Sequence, residues 1–154
     1  MNSIPKHIVL AVLIGSCLLM IALNGQNLVS ARQRAPVSVT RLDTGSDGQT
    51  HAKEIDVTLV PTSGGLERSD YVKATGLQFV CLPPGHAQDW HTAPRNQYVI
   101  TVSGRGEIEL TGGQKIPAVP GRVLLVEDVT GKGHKSRTVG TQEWCTAQVP
   151  LADK

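Results

Sequence analysis

The sequence predicts an all-β domain, a barrel or sandwich of short strands. Runs rich in β-branched and aliphatic residues recur at short intervals from position 54 onward, and such residues fit a pleated, half-buried surface. Sixteen glycines and nine prolines punctuate the chain. They cluster as Pro83-Pro84-Gly85, Gly104-Arg105-Gly106, Gly112-Gly113 and Gly131-Lys132-Gly133, all turn signals. No window with a helical period follows the N-terminal apolar run. The 154 residues suffice for one domain and an N-terminal segment. With two Trp, two Tyr and one Phe, the core must be built from Val, Leu, Ile and Ala.

The N-terminus has the layout of an export signal. Residues 1–7 carry Lys6, residues 8–23 are uncharged and mostly apolar, and residues 24–31 end in the small residues Val29-Ser30-Ala31. The apolar run falls short of the ~20 residues that comfortably span a bilayer. Residues 1–31 are therefore read as a signal peptide or membrane anchor. Cleavage after Ala31 and an uncleaved anchor are two readings. The third is lipidation at Cys17, because Leu13-Ile14-Gly15-Ser16-Cys17 resembles a lipobox, although the apolar residues 18–23 stand where a lipoprotein linker would be polar. All three export the domain, to the periplasm or beyond. Any membrane contact is through this segment alone.

Residues 32–52 are rich in Arg, Ser, Thr, Gly and Asp without a strand or helix period, and read as a flexible linker. The domain is expected over 53–154. Within it, residues 54–61 form a first strand and 62–70 a loop through Gly64-Gly65. Residues 77–82 form a strand stopped by the Pro83-Pro84-Gly85 turn. Residues 88–92 are short and extended. Residues 97–103 place Tyr98, Ile100 and Val102 on one face and Val99 and Thr101 on the other, which suits a wall packed on both sides. Residues 107–110 and 122–127 are further strands, and 144–149 closes the domain.

The chemistry concentrates in residues 85–104, GHAQDWHTAPRNQYVITVSG. Gly85 is followed after five residues by His91, then Ala93, then Gln97, then after six residues Gly104. Further on, Pro120-Gly121 precedes a strand-like run and then Gly131-Lys132-Gly133-His134. These two stretches resemble the two motifs of the cupins, in particular small single-domain bacterial cupins carrying H-x-A-P-R-x-Q-Y and T-G-K-G-H. The resemblance covers about residues 77–150. It departs from the family at Ala93, where a second histidine is usual, at Gln97, where a glutamate is usual, and in a second motif two residues longer than the pattern.

The resemblance implies a cupin double-stranded β-helix, a jelly-roll barrel. It also implies that His91, Gln97 and His134 meet at the barrel mouth and form the remains of a metal site. Imidazoles suit Fe, Zn, Ni or Cu, and Mn is also a candidate divalent ion, but a neutral glutamine weakens the set relative to a carboxylate. Asp89 and His91 stand two residues apart and share a face of an extended segment. Asp89 is thus expected to join the metal or to hold His91 as a catalytic acid/base pair. Arg95 and Tyr98 are candidate ligand-binding residues, the arginine as a carboxylate clamp. The expected function is a small-molecule pocket at the barrel mouth, with a divalent metal on the two histidines. Any activity would be oxygenase- or isomerase-like. The alternative is a ligand-binding or sensing cupin without metal or catalysis.

Other classes find little support. The net charge is +2 with interspersed signs, so no basic stripe suggests nucleic acid. Gly131-Lys132 lacks the earlier glycine and following Ser/Thr of a phosphate loop. Glu127-Asp128 are adjacent, whereas glycosidase chemistry needs carboxylates across a cleft. In an oxidising compartment Cys81 and Cys145 have two readings, a disulfide between the first and last core strands or two buried thiols. A homodimer is compatible with an exposed sheet edge.

Overall fold

The computed structural model describes residues 36–152, within one compact unit, Pro36–Lys154. The expectations for residues 1–31, including cleavage at Ala31 and lipidation at Cys17, lie outside the described residues. Twelve strands follow in order. They begin with β1 (Ser38–Thr44), β2 (Thr50–Asp56), and the short β3 (Val60–Pro61) and β4 (Glu67–Arg68) about a 3-10 turn at Ser63–Gly65. Then come β5 (Gln78–Leu82), β6 (Ala87–His91), β7 (Gln97–Ser103) and β8 (Gly106–Glu109). The last four are β9 (Lys115–Ala118), β10 (Val123–Glu127), β11 (His134–Thr138) and β12 (Trp144–Pro150).

The pairing is nested. β5 pairs with β12, β6 with β11, β7 with β10 and β8 with β9, all antiparallel. Such a set is one long hairpin, and here the successive pairs divide between two sheets, which is a jelly roll. The six-stranded sheet runs β2-β1-β10-β7-β12-β5 and the four-stranded sheet β6-β11-β8-β9. Side chains from both sheets meet in one core, among them Leu42, Leu124, Ile108, Ile116 and Trp144. Leu42, Leu110 and Leu124 are buried almost completely, and each such leucine contributes about 2 kcal/mol by area transfer. The all-β jelly roll implied by the motifs is therefore the architecture of the described residues.

Three expectations are corrected. Residues 38–52 are not linker: they hold β1 and the start of β2, and the compact unit begins at Pro36 rather than at 53. Polar composition hid these strands, because what fixes them is distant. β1 lies parallel to β10, Leu42 enters the core, and Arg41 bonds Glu127, 86 residues away. The expected strand over 54–61 is divided between the end of β2 and β3. β9 and β11 went unread, since Pro117 interrupts one and charged residues alternate through the other.

A disulfide joins Cys81 to Cys145, which face each other in the β5–β12 register. With a separation of 64 residues, closing this loop stabilises by about 4 kcal/mol on the chain-entropy account. It ties the edge strand β5 to the sheet, and β5 supplies Val80 and Leu82 to the cavity described next.

Candidate functional site

A cavity of about 260 Å³ lies between the sheets. His91 from β6, Gln97 from β7 and His134 from β11 all line it, as do Ala93 and Trp144. The two imidazoles come together because His91 and His134 are direct cross-strand partners in the β6–β11 register. Their ring centroids are 4.5 Å apart, with the planes tilted by 59°. Gln97 reaches the cavity from the opposite sheet and is 6% exposed.

Two glycines allow this closeness. Gly133 has φ of 73°, and a Cβ there would strike the carbonyl oxygen of His91. Only glycine lets the chain pass so near His91 while turning into His134. Gly106 lies flat against the indole of Trp144, where a Cβ would also collide. Trp144 is thereby fixed, and its Nε1–H donates to Thr101 Oγ1 at 3.2 Å.

His134 is 6% exposed and its Nδ1–H donates to Asp128 Oδ2 at 2.6 Å. Asp128 is fully buried, and the same oxygen accepts from Thr50 Oγ1 at 2.9 Å. The Asp128 backbone carbonyl accepts from the N–H of Ala93 at 3.1 Å. One residue therefore anchors His134, the β2 start and the loop after His91. Its other carboxylate oxygen, Oδ1, is buried without a partner. His91 is held differently: its Nδ1–H donates to the backbone carbonyl of Asp89 at 2.7 Å. Carboxylates and carbonyls only accept here, so both rings carry their proton on Nδ1. In a neutral imidazole held this way the lone pair is on Nε2.

The Asp89 carboxylate does not serve His91. A β-bulge accounts for this. Gln88 and His91 on β6 oppose Ser136 and His134 on β11, so three steps on one strand match two on the other. The extra residue breaks the two-residue alternation that put Asp89 on the face of His91. The Asp89 carboxylate is 82% exposed and meets Lys135 Nζ at 3.0 Å. That Lys135 hydrogen bond holds its carboxyl below the usual range. Lys132 and Lys135 also stand over the Trp90 ring, 4.4 and 5.1 Å from its centroid.

Arg95 and Tyr98 do not line the cavity either. Arg95 is exposed in the turn after Pro94. Tyr98 neighbours Gln97 in β7, so alternation turns it to the other side of the sheet. Asp128 has no role in the sequence reading, which weighs Glu127-Asp128 only as an adjacent acidic pair. A detectable signal was its place at the end of a buried strand, six residues before His134.

Two imidazole nitrogens with oxygen acceptors behind them are the usual arrangement of metal-binding histidines, and the Gln97 amide could add an oxygen. A second cluster, Cys81, Glu143 and Cys145, brings its ligand atoms within 4.8 Å of one another. Its sulfurs form the disulfide, so no thiolate is available there to bind metal.

No protein-family model and no curated protein matches the chain. Among solved structures, protein NMB1881 from Neisseria meningitidis is similar over 53% of this chain and 79% of its own, with 17% identity and a TM-score of 0.39. A cupin superfamily protein from Desulfitobacterium hafniense is similar over 64% of this chain and 100% of its own, with 16% identity and a TM-score of 0.38. Likenesses this distant carry no site chemistry across.

Proposed function

We propose that this is an exported ligand-binding domain of the cupin kind, whose cavity beside His91 and His134 takes a small molecule next to a divalent metal. The observation that carries this reading is the shared orientation of the two imidazoles. Each gives its Nδ1 proton to an oxygen, at 2.7 Å for His91 and 2.6 Å for His134, leaving Nε2 to bind. His91 and His134 would hold the metal, with Gln97 as a neutral third donor. Bound there, a metal would act as a Lewis acid toward the ligand. Export is supported by the signal-like residues 1–31 and by the Cys81–Cys145 disulfide, a bond favoured in oxidising compartments.

A second reading, a binder without metal, is favoured by Ala93 and Gln97. Neither contributes charge, and no carboxylate lines the cavity. In that case His134, backed by Asp128, is a positioned hydrogen-bonding or proton-transfer group.

Elemental analysis of the untagged mature protein, beside His91→Ala and His134→Ala variants, separates the two. Stoichiometric metal lost in both variants supports the metal reading. A protein that takes up no Fe, Mn, Zn, Ni or Cu contradicts it. N-terminal sequencing tests export, with a mature start after Ala31 as the expected result.

A further inference from the structure

We infer that the cavity, in the metal-free protein, selects an uncharged, mostly apolar ligand and rejects carboxylates. The inference rests on the proposal that this cavity takes a small molecule, and it names the class. Most of the lining is apolar, including Leu42, Val80, Leu82, Ile108 and Trp144. The polar side chains that line it are those of histidine, glutamine, serine and threonine. Among the described residues no Asp, Glu, Lys or Arg side chain lines the cavity.

Two nearby lysines are engaged outside the cavity. Lys135 bonds Asp89 outside, and both Lys132 and Lys135 stand over Trp90. Asp128 is buried behind His134 and does not line the cavity. A carboxylate entering the cavity would lose its hydration and meet no cation, which is costly unless a partner is supplied. A neutral ligand loses little and gains contact with the aliphatic wall and the fixed indole. Size narrows the class further. A 150 Å³ apolar cavity holds benzene, so 260 Å³ accommodates roughly ten to thirteen heavy atoms. The polar contacts on offer are the histidine Nε2 lone pairs and the Gln97 amide, enough for one hydroxyl or amide on the ligand.

The test uses two probes of the same shape, 2-naphthamide and 2-naphthoate, titrated calorimetrically into the chelator-treated mature protein. The amide is expected to bind at least ~10-fold more tightly, and Ala93→Leu, which fills the cavity, to abolish that binding. Gln88 is an exposed lining residue, and Gln88→Arg is expected to narrow the preference by supplying a cation. Equal or tighter binding of the naphthoate to the unaltered protein overturns the inference. Failure of both probes, in a protein that still takes up Zn²⁺ through His91 and His134, overturns it while leaving the metal reading intact. Tight amide binding without metal uptake supports it and removes only the metal.

Discussion

His91 and His134 face one cavity but are built to different standards. His134 is nearly buried and rests on a fully buried carboxylate that Thr50 also supports. His91 is half-buried and rests on a backbone carbonyl within the bulge. One ring is held by side chains from distant parts of the fold, the other by its own strand. The difference teaches that the His134 side is tied to folding stability. The His91 side is held by fewer distant contacts.

The sharpest way to break this asymmetry is Asp128→Ala. It leaves the His134 Nδ1–H and the Thr50 hydroxyl without their acceptor inside the protein, and the expected loss is about 3 kcal/mol. Urea denaturation measures it, and a loss no larger than that of His91→Ala removes the asymmetry. Gly133→Ala comes next, because it strains a left-handed backbone and drives a Cβ against the His91 carbonyl. About 2 kcal/mol is expected, together with weaker metal uptake as the rings part. His91→Ala should cost about 1 kcal/mol or less in stability while abolishing metal uptake, an outcome read from the same denaturation curves and from elemental analysis.

The smallest effect belongs to Asp89. Its folded-state pKa lies below the usual 3.8 because of the Lys135 hydrogen bond. The stability it contributes is therefore present above about pH 3.8 and lost as pH falls through the lower folded value. Asp89→Asn should flatten that acid-side slope and leave metal uptake near neutral pH unchanged. Reduced uptake would restore Asp89 to the site.

The parts legible from sequence are those set by local spacing. Turn glycines and aliphatic runs marked most of β5 to β12, and motif spacing placed His91, Gln97 and His134 on one list of candidates. The parts that escaped depend on distant partners or on a broken period. β1 looked like linker because its support comes from β10 and Glu127. Asp89 looked like the partner of His91 because a bulge cannot be seen in alternating residues. Asp128 reads in sequence as one of two adjacent acids, because one of its partners, Thr50, is 78 residues away. Arg95 and Tyr98 were plausible by chemistry and wrong by the direction in which strand and turn carry them.

The central claim is that both imidazoles are pinned through Nδ1 and present Nε2 to the cavity. Two-bond ¹⁵N–¹H correlation spectra of the histidine rings, recorded on chelator-treated protein at a pH where the rings are neutral, test it directly. The account predicts the Nδ1–H tautomer for both His91 and His134. An Nε2–H tautomer at either ring would contradict it.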